Sequence, residues 1–456
     1  MDRRRLIEVA RGTQPADLLI RGGRLVNVLT GETYDADVAV ADGRIAGVGP
    51  GYEAREVVAA DGALVLPGFL DGHVHIESSM CVPSQFAQVV VPAGTTTVIV
   101  DAHEIANVRG LEGLAFMLDD SDDIPLDVFM MAPSCVPASP YESSGAVLHS
   151  ADLKRFLGER RVLGMGEMMN FPGVVHTDDE VMAKLALATD IVDGHAPALS
   201  GKELNAYVAA RVMSDHECRT AEEAVEKLRL GMHVMVREGS IARNLVDLLP
   251  AIGPLSQERC MFVTDDRHAD DLVLHGHIDN AVRLAIRHGM DPVVAVKLAS
   301  LNCARYFRLD GVGAIAPGWQ ADVLLASGWD DFKVERVYKR GREVARDGKP
   351  FFAPKAASTA KVIDTMRVAP LAAGAFSLHG PQTGIPVPAG ARSNGRVKVK
   401  VIGVVPGQCW SHSLAAELPV VDGVVMPDLT QDVAKIAVIE RHNATGNIGV
   451  GFVKGF

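Results

Sequence analysis

The sequence predicts an α/β protein built on a TIM-like (β/α)8 barrel, with a β-sandwich and a C-terminal β-rich α/β domain attached to it. Between residues 67 and 308, apolar runs of strand type alternate with helical stretches, an order typical of βα units and a parallel sheet. Each run ends in a polar cluster with His, Asp or Glu, where such a barrel carries its catalytic groups. A doubly wound open sheet is the alternative, but no glycine-rich phosphate loop follows the first strand.

Short β-runs with Gly-rich and Asp-Gly turns lie on both sides of this barrel region, in residues 1–66 and 309–350. Two such segments around one long region predict a single β-sandwich built from both of them. Residues 351–380 are rich in Ala and Pro and are interpreted as a linker. The last segment, 381–456, is β-rich and ends in a Gly-rich apolar run without a finishing helix, so we expect a C-terminal domain that is truncated.

The composition limits the class of function. With 456 residues, 48% of them hydrophobic, the chain is long enough for two or three domains. Its formal net charge of -12, without clustered Lys and Arg, argues against nucleic-acid binding and favours a small neutral or cationic substrate. There is neither a signal-peptide pattern nor a run of ~18 apolar residues, so we expect a cytoplasmic protein without a membrane partner.

The segment LPGFLDGHVHIESSM carries the strongest chemical signal. His73 and His75 are two positions apart, so in a strand both imidazoles face the same way, as two ligands of one metal ion require. A histidine pair of this spacing is weak evidence alone, because most such pairs lie on a surface or in a core. Its position directly after Pro67, Gly68 and Asp71, at the junction of sandwich and barrel, favours a metal site.

Further candidates follow in chain order at successive strand ends: Glu167, His195, His216 and Asp265. Together with the HxH pair they supply four imidazoles and two carboxylates, a set suited to two first-row divalent cations. One carboxylate has to bridge the cations, and we expect Glu167 to do so because the fourth-strand run contains no lysine for carboxylation. Taken singly, each residue has a plainer alternative: a turn or helix cap for the carboxylates, and a core position for the histidines.

Several long motifs, in the same order as in a known family, carry a resemblance: HVHIESSM, HEIANV, GEMMNFPGV, HAPALSGKELNAYV, SDHE and TDDRHADDLVLHGHIDNAVR. Through them the chain resembles the adenine deaminase family of the amidohydrolase superfamily from residue 17 to residue 456. The resemblance implies hydrolytic deamination of adenine to hypoxanthine and ammonia. It also implies two divalent cations, manganese or iron with zinc as a third option, held by the six candidate ligands and activating a water molecule as hydroxide.

Candidate roles for further residues follow from this chemistry. The leaving amine has to be protonated, and Asp265 is placed to carry that proton. Purine recognition needs donors and acceptors for the ring nitrogens, and Glu77, His103 and Glu104 follow the first two barrel strands. The alternative for Glu77 is to orient a ligand histidine, and the alternative for the other two is to cap a loop. A second HxH, ending in His277, is expected to open a helix rather than to bind metal.

Other interpretations stay open at this stage. The chain fits another metal-dependent hydrolase of the superfamily, acting on a cyclic amide or an N-acetyl sugar, although amide-ring hydrolases often use a carboxylated lysine. It also fits a catalytically inactive barrel kept as an assembly module, against which the complete ligand set argues. The native metal and the choice between adenine and another 6-substituted purine are not determined. The β-sandwich and the third domain offer surfaces for a homo-oligomer, a dimer or larger.

Overall fold

The computed structural model describes residues 3–188, 191–355, 358–379 and 395–456. The chain divides into two compact units, the first formed by Met1–Glu142 with Ala146–Val362 and the second by Ser143–Gly145 with Ile363–Phe456. The boundary at Val362 falls inside the predicted linker. Residues 381–394, at the predicted start of the C-terminal domain, lie outside the described residues. The domain boundaries drawn from the sequence stay predictions.

The first unit begins with a short helix and the first strands of a sheet. Helix α1 spans Arg3–Ala10, and its buried Val9 packs against that sheet. The strands are β1 (Ala16–Asn27), β2 (Glu32–Ala41), β3 (Arg44–Val48), β4 (Ala54–Ala59) and β5 (Leu64–Pro67). Alternate apolar residues such as Leu18, Ile20 and Val38 share one core, which is the period-two pattern of a half-buried sheet.

The middle of the chain forms a closed barrel of parallel strands. They are β6 (Phe69–His75), β7 (Thr95–Asp101), β8 (Asp127–Ala132), β9 (Val162–Met168), β10 (Val192–Gly194), β11 (Ser214–Asp215), β12 (His233–Arg237), β13 (Cys260–Val263) and β14 (Asp265–Asp266). Main-chain hydrogen bonds join them in the orders β10-β9-β8-β7-β6-β14 and β11-β12-β13. The Met213 amide donates to the Val192 carbonyl at 2.9 Å and joins the two edges, so the ring closes. The strands are buried on both faces, which explains why they read as apolar runs.

Helices follow the barrel strands and pack on the same core. Their bounds are α2 (Pro83–Val90), α3 (His103–Asp120), α4 (Ser150–Phe156), α5 (Phe171–Val175), α6 (Asp179–Leu187), α7 (Gly201–Ala209), α8 (Ala221–Arg229), α9 (Leu245–Leu248), α10 (Ala269–His275), α11 (Ile278–Arg287), α12 (Pro292–Leu298) and α13 (Leu301–Tyr306). Among the residues that the structure describes, no helix combines the length and apolar character needed to span a membrane.

After the barrel, the chain returns to the first sheet. It adds β15 (Val323–Ala326), β16 (Val334–Lys339), β17 (Arg342–Arg346) and β18 (Lys349–Pro350). Strand β15 pairs antiparallel with β5, so that Val323 lies beside Pro67 and Leu325 beside Val65. Segments from both sides of the barrel therefore form one sheet, nine-stranded in the described part of the chain. The predicted fold class, a TIM-like barrel with added β-structure, is confirmed.

The second unit is built on a small sheet with its own core. Its strands are β19 (Arg396–Val404), β20 (Ser411–Val421), β21 (Val424–Val425), β22 (Val433–Ile439) and β23 (Ile448–Lys454), hydrogen-bonded in the order β21-β20-β19-β23-β22. Val401, Leu418 and Phe452 are central to the core. Within the described residues from 363 onward, the helical structure is one 3-10 turn, Leu429–Gln431.

A buried lysine fastens the flanking sheet to the barrel. Lys339, the last residue of β16, donates to the Thr96 carbonyl at 2.8 Å and to the carboxylates of Asp127 and Asp322 at 2.7 Å each. Burial alone would raise the pKa of Asp127, but the Lys339 ammonium holds it below its ordinary value. Asp127 is therefore ionised, and Lys339 is the buried cation that joins it to Asp322.

Replacing Lys339 by Met should lower the free energy of unfolding by about 3–5 kcal/mol, because two carboxylates lose a buried partner. Urea unfolding of the two variants and the parent protein measures this loss. Lys349→Met is the matched control, since Lys349 is exposed and its loss should cost less than about 0.5 kcal/mol. Equal losses in both variants would contradict the role given to Lys339.

Candidate metal centre

The residues predicted as metal ligands lie together at the carboxyl ends of the barrel strands. Most are buried, and the side chain of His195 is 26% exposed, which leaves one side of the group open to solvent. The strand order around the barrel brings these distant sequence positions together: His73 and His75 in β6, Glu167 in β9, His195 after β10, His216 after β11 and Asp265 in β14.

One half of the group consists of the HxH pair and Asp265. The Nε2 atoms of His73 and His75 are 3.1 Å apart, and Oδ1 of Asp265 lies 3.5 Å from the first and 3.0 Å from the second. His75 Nδ1 lies 2.7 Å from the Asp101 carbonyl oxygen. A carbonyl only accepts, so Nδ1 carries a proton, and Nε2 is the nitrogen that faces the other two ligand atoms.

The other half consists of His195 and His216, and Glu167 joins the two halves. Oε2 of Glu167 lies 2.6 Å from His195 Nδ1 and 3.3 Å from His216 Nε2. Its other oxygen, Oε1, lies 3.4 Å from His75 Nε2 and 4.0 Å from His73 Nε2. Burial alone would raise the pKa of Glu167, but the neighbouring histidines hold it well below its ordinary value. An ionised carboxylate thus presents one oxygen to each half.

Asp101, at the end of β7, holds Glu167 from behind. Its Oδ2 accepts a hydrogen bond from the Glu167 amide at 2.9 Å, while its carbonyl binds His75. The strands approach so closely here that a Cβ atom at Gly166 would lie 2.1 Å from the same carboxylate oxygen. This contact therefore requires glycine at position 166, the second glycine of the motif GMGEMM.

A buried ion pair holds the two histidines of the second half. Lys227 Nζ lies 2.9 Å from Asp215 Oδ2, and both side chains are fully buried. Asp215 accepts from the amides of Ala196 at 2.7 Å and Glu217 at 3.1 Å, the residues that directly follow the two histidines. Burial alone would raise the pKa of Asp215, but the charge of Lys227 lowers it to about 2.

Asp71 binds the backbone of the HxH pair, as Asp215 binds the backbone beside the other two histidines. It accepts from the His73 amide at 3.1 Å, from the Thr264 amide at 3.2 Å and from the Thr264 hydroxyl at 2.5 Å. Its Oδ2 lies 3.1 Å from His277 Nε2, and the other nitrogen of that imidazole lies 2.8 Å from Thr95 Oγ1. His277 precedes α11 and supports the site from below, away from the ligand atoms.

Two charged residues that the sequence reasoning did not single out lie against the ligands. Arg237 ends β12 and is buried, with Nη1 2.9 Å from Asp265 Oδ2. Glu217 directly follows His216 and pairs with both terminal nitrogens of the same guanidinium. In the sequence, only their positions could have indicated them as site residues: Arg237 ends a strand-like run, and Glu217 lies next to a predicted ligand.

The three predicted substrate contacts lie beside the ligands. His103 Nδ1 is 3.2 Å from Glu167 Oε1, and the Glu104 carboxylate is 3.5 Å from His75 Nδ1. Oε2 of Glu77 is buried and has no hydrogen-bond partner among the described residues. Burial and the charge of Glu104 raise the pKa of Glu77 to about 8. His103 and Glu104 are also the first two residues of α3.

The donor set fits divalent first-row cations. In each half, imidazole nitrogens and a carboxylate oxygen lie within 4.8 Å of one another. Asp265 is the carboxylate of the first half, and Glu217 and, at shorter distances, Glu167 are those of the second. Iron, manganese and zinc share these ligand types. Buried carboxylates at such short separations also need compensating positive charge. Partners behind the ligands, Asp71, Asp101 and Asp215, fix their orientation as outer-shell groups do in metal sites.

Comparison with known proteins defines the class and then the family. Residues 64–344 match the Amidohydrolase family, and residues 408–456 match the Adenine deaminase C-terminal domain. A solved β-aspartyl dipeptidase from Fervidobacterium islandicum AW-1 shares the fold, with a TM-score of 0.54 at 17% identity over 74% of this chain and 98% of that one. Barrel, ligand group and family match together define a metal-dependent hydrolase of the amidohydrolase superfamily.

Closer relatives narrow the class. The chain is 47% identical to Adenine deaminase 2 of Carboxydothermus hydrogenoformans and 46% identical to the adenine deaminase of Nitratidesulfovibrio vulgaris strain DP4. Each match covers 99% of this chain and 76% of the relative. The chain belongs to the adenine deaminase family, and the resemblance predicted from the motifs is confirmed.

Metal binding should release protons, and the affinity should rise with pH up to about pH 9. Burial alone would lower the pKa of His216, but the hydrogen bond and charge of Glu167 raise it to about 9. At pH 7 the metal-free imidazole is therefore protonated, and a cation has to displace that proton. Calorimetric titration with manganese in buffers of different ionisation enthalpy counts the protons released. An affinity that does not change from pH 7 to pH 9, without proton release, would contradict the protonated state.

Proposed function

We propose that this chain hydrolyses adenine to hypoxanthine and ammonia at a two-cation centre. The observation that carries the proposal is that the two oxygens of the Glu167 carboxylate face different histidines. One oxygen is directed at the HxH pair and the other at His195 and His216. A single carboxylate between two imidazole pairs is the arrangement that a bridging ligand needs. The proposal also draws on relatives named adenine deaminase that match nearly the whole chain.

The cations are assigned as two, manganese or iron, with zinc as a third option. His73, His75 and Asp265 would hold one, His195 and His216 the other, and Glu167 both. The chemistry that the cations supply when bound is Lewis acidity, which makes water a competent nucleophile near neutral pH. The imidazole and carboxylate donors suit several first-row ions. The ion that is bound in the cell therefore depends on which metal is available there and not on the ligand set alone.

Asp265 is assigned the proton transfers. Burial alone would raise the pKa of Asp265, but hydrogen bonds from His73 and His75 hold it well below its ordinary value, so the carboxylate is ionised. Oxygen from water adds to the ring carbon that bears the amine, and Asp265 accepts the water proton. It then delivers that proton to the amine nitrogen as the carbon–nitrogen bond breaks, because an amide anion is too poor a leaving group.

Glu77, His103 and Glu104 are assigned to the purine ring. Their polar atoms lie next to the ligands, and the unpartnered Oε2 of Glu77 is available to a ring nitrogen. A buried polar atom without a partner costs stability until a substrate supplies one, and such groups reject analogues that lack the matching atom. We therefore place the recognition of adenine here.

Hydrolysis of a cyclic amide is the weaker alternative. Enzymes with that activity often bridge their cations with a carboxylated lysine, and β9 carries Glu167 and no lysine. The cytoplasmic location and the homo-oligomeric state predicted from the sequence stay predictions.

Asp265→Asn should lower kcat on adenine by about 10²–10⁴ in protein loaded with manganese, because general acid–base catalysis is lost. Ammonia release measures turnover, and metal content per chain shows that part of the manganese remains. Asp270→Asn is the matched control, since Asp270 is exposed in the first turn of α10. Near-normal turnover by Asp265→Asn would remove the assignment, and no turnover by the loaded parent protein would remove adenine as the substrate.

A further inference from the structure

Arg237 is a buried cation at the reacting end of the barrel that no assigned step uses. It is the last residue of β12, and its side chain is 1% exposed. A buried guanidinium is costly unless carboxylates and hydrogen bonds compensate it. Its surroundings therefore show what it is placed to hold.

Two carboxylates and one side-chain amide lie against its guanidinium. Nη1 donates to Oδ2 of Asp265 at 2.9 Å and to Oε1 of Glu217, and Nη2 donates to Oε2 of Glu217 at 3.2 Å. Oδ1 of Asn244 lies 3.4 Å from Nη2. Glu217 thus binds the guanidinium in the bidentate fork geometry, which fixes its plane as well as its position.

The two oxygens of the Asp265 carboxylate have different partners. Oδ2 is bound by Arg237, while Oδ1 faces the Nε2 atoms of His73 and His75. Asp265 also has a φ of 58°, a left-handed conformation that is uncommon for residues other than glycine, where β14 follows the break after β13. By binding Oδ2, Arg237 holds the carboxylate in the orientation that directs Oδ1 at the two imidazoles.

Glu217 is close enough to the second half of the centre to be mistaken for a ligand. Its Oε1 lies 3.9 Å from His195 Nδ1 and 3.8 Å from His216 Nε2. The same oxygen is bound by Arg237. Because this hydrogen bond occupies Oε1, that oxygen would not be free to bind a cation. Glu217 instead anchors the guanidinium.

We propose that Arg237 is a positioning residue, anchored by Glu217, that keeps Asp265 turned toward the cation site of His73 and His75. The inference rests on the proposed two-cation centre, but not on adenine being the substrate. It assigns Glu217 to the support of the centre and not to its ligands.

The test compares three variants of the full chain by manganese titration and by kcat and KM for adenine. Arg237→Lys keeps the charge but replaces the planar fork with a single ammonium, which cannot reproduce the two parallel hydrogen bonds to Glu217. Glu217→Gln keeps a side chain of the same size and removes the bidentate anchor. Arg243→Lys is the matched control, because Arg243 is about half exposed and pairs with Asp271 of α10.

Arg237→Lys should weaken one of two manganese sites by about 10–100-fold and lower kcat by a similar factor, with little change in KM. Glu217→Gln should bind two manganese ions, with a smaller loss at the same site. If Arg237 acts through Asp265, adding Arg237→Lys to Asp265→Asn should cause no further loss of manganese affinity. The control should behave like the parent protein.

Unchanged manganese affinity and kcat in folded Arg237→Lys would overturn the proposal. Binding of only one manganese ion by Glu217→Gln would also overturn it, because Glu217 would then be a ligand. If Arg237→Lys does not fold, Glu217→Gln alone tests the proposal. Manganese affinities equal to those of the parent protein at both sites of Glu217→Gln would then show that Glu217 does not anchor Arg237. A parent protein that binds two manganese ions but does not turn over adenine would reject the substrate and leave the manganese test of Arg237 intact.

Discussion

The arrangement of the centre depends on keeping Glu167 ionised inside the barrel. A buried carboxylate is stable only where positive charge and hydrogen bonds replace its hydration. Here imidazoles on both sides face its two oxygens, and Asp101 accepts its amide hydrogen from behind. The other ligands are held in the same manner, since Asp71 and Asp215 accept from backbone amides beside the histidines. Each buried aspartate fixes the backbone that carries a ligand, so ligand orientation is set by strand geometry more than by side-chain choice.

Sequence periodicity predicted the barrel because its strands are apolar on both faces and alternate with helices. The HxH pair was predictable for a local reason, since the two-residue repeat of a strand places both imidazoles on one side. The remaining ligands were predictable only as a series of polar strand ends. That they would face one another follows from barrel closure, which the structure supplies through the contact of β10 with β11.

Other features had no local signal. Arg237 at the end of a strand reads as an exposed charge, and nothing nearby in sequence shows that Asp265 and Glu217 lie against it. The left-handed conformation of Asp265 depends in the same way on its setting, where Thr264 is bound by Asp71. Such contacts between distant strands are decided by the fold, and the residues involved have ordinary alternatives when read singly. The fold is shared with hydrolases of other substrates, so activity has to be argued from this site and its relatives.

Anomalous X-ray scattering at the manganese edge, from crystals of manganese-loaded protein, would locate the cations on either side of Glu167. If Glu167 bridges two cations, the map should show two peaks about 3.5–4 Å apart, one on each side of this carboxylate. The first should lie by His73, His75 and Asp265, and the second by His195 and His216. A single peak, or two peaks that do not share Glu167, would contradict the bridging carboxylate and the two-cation centre built on it.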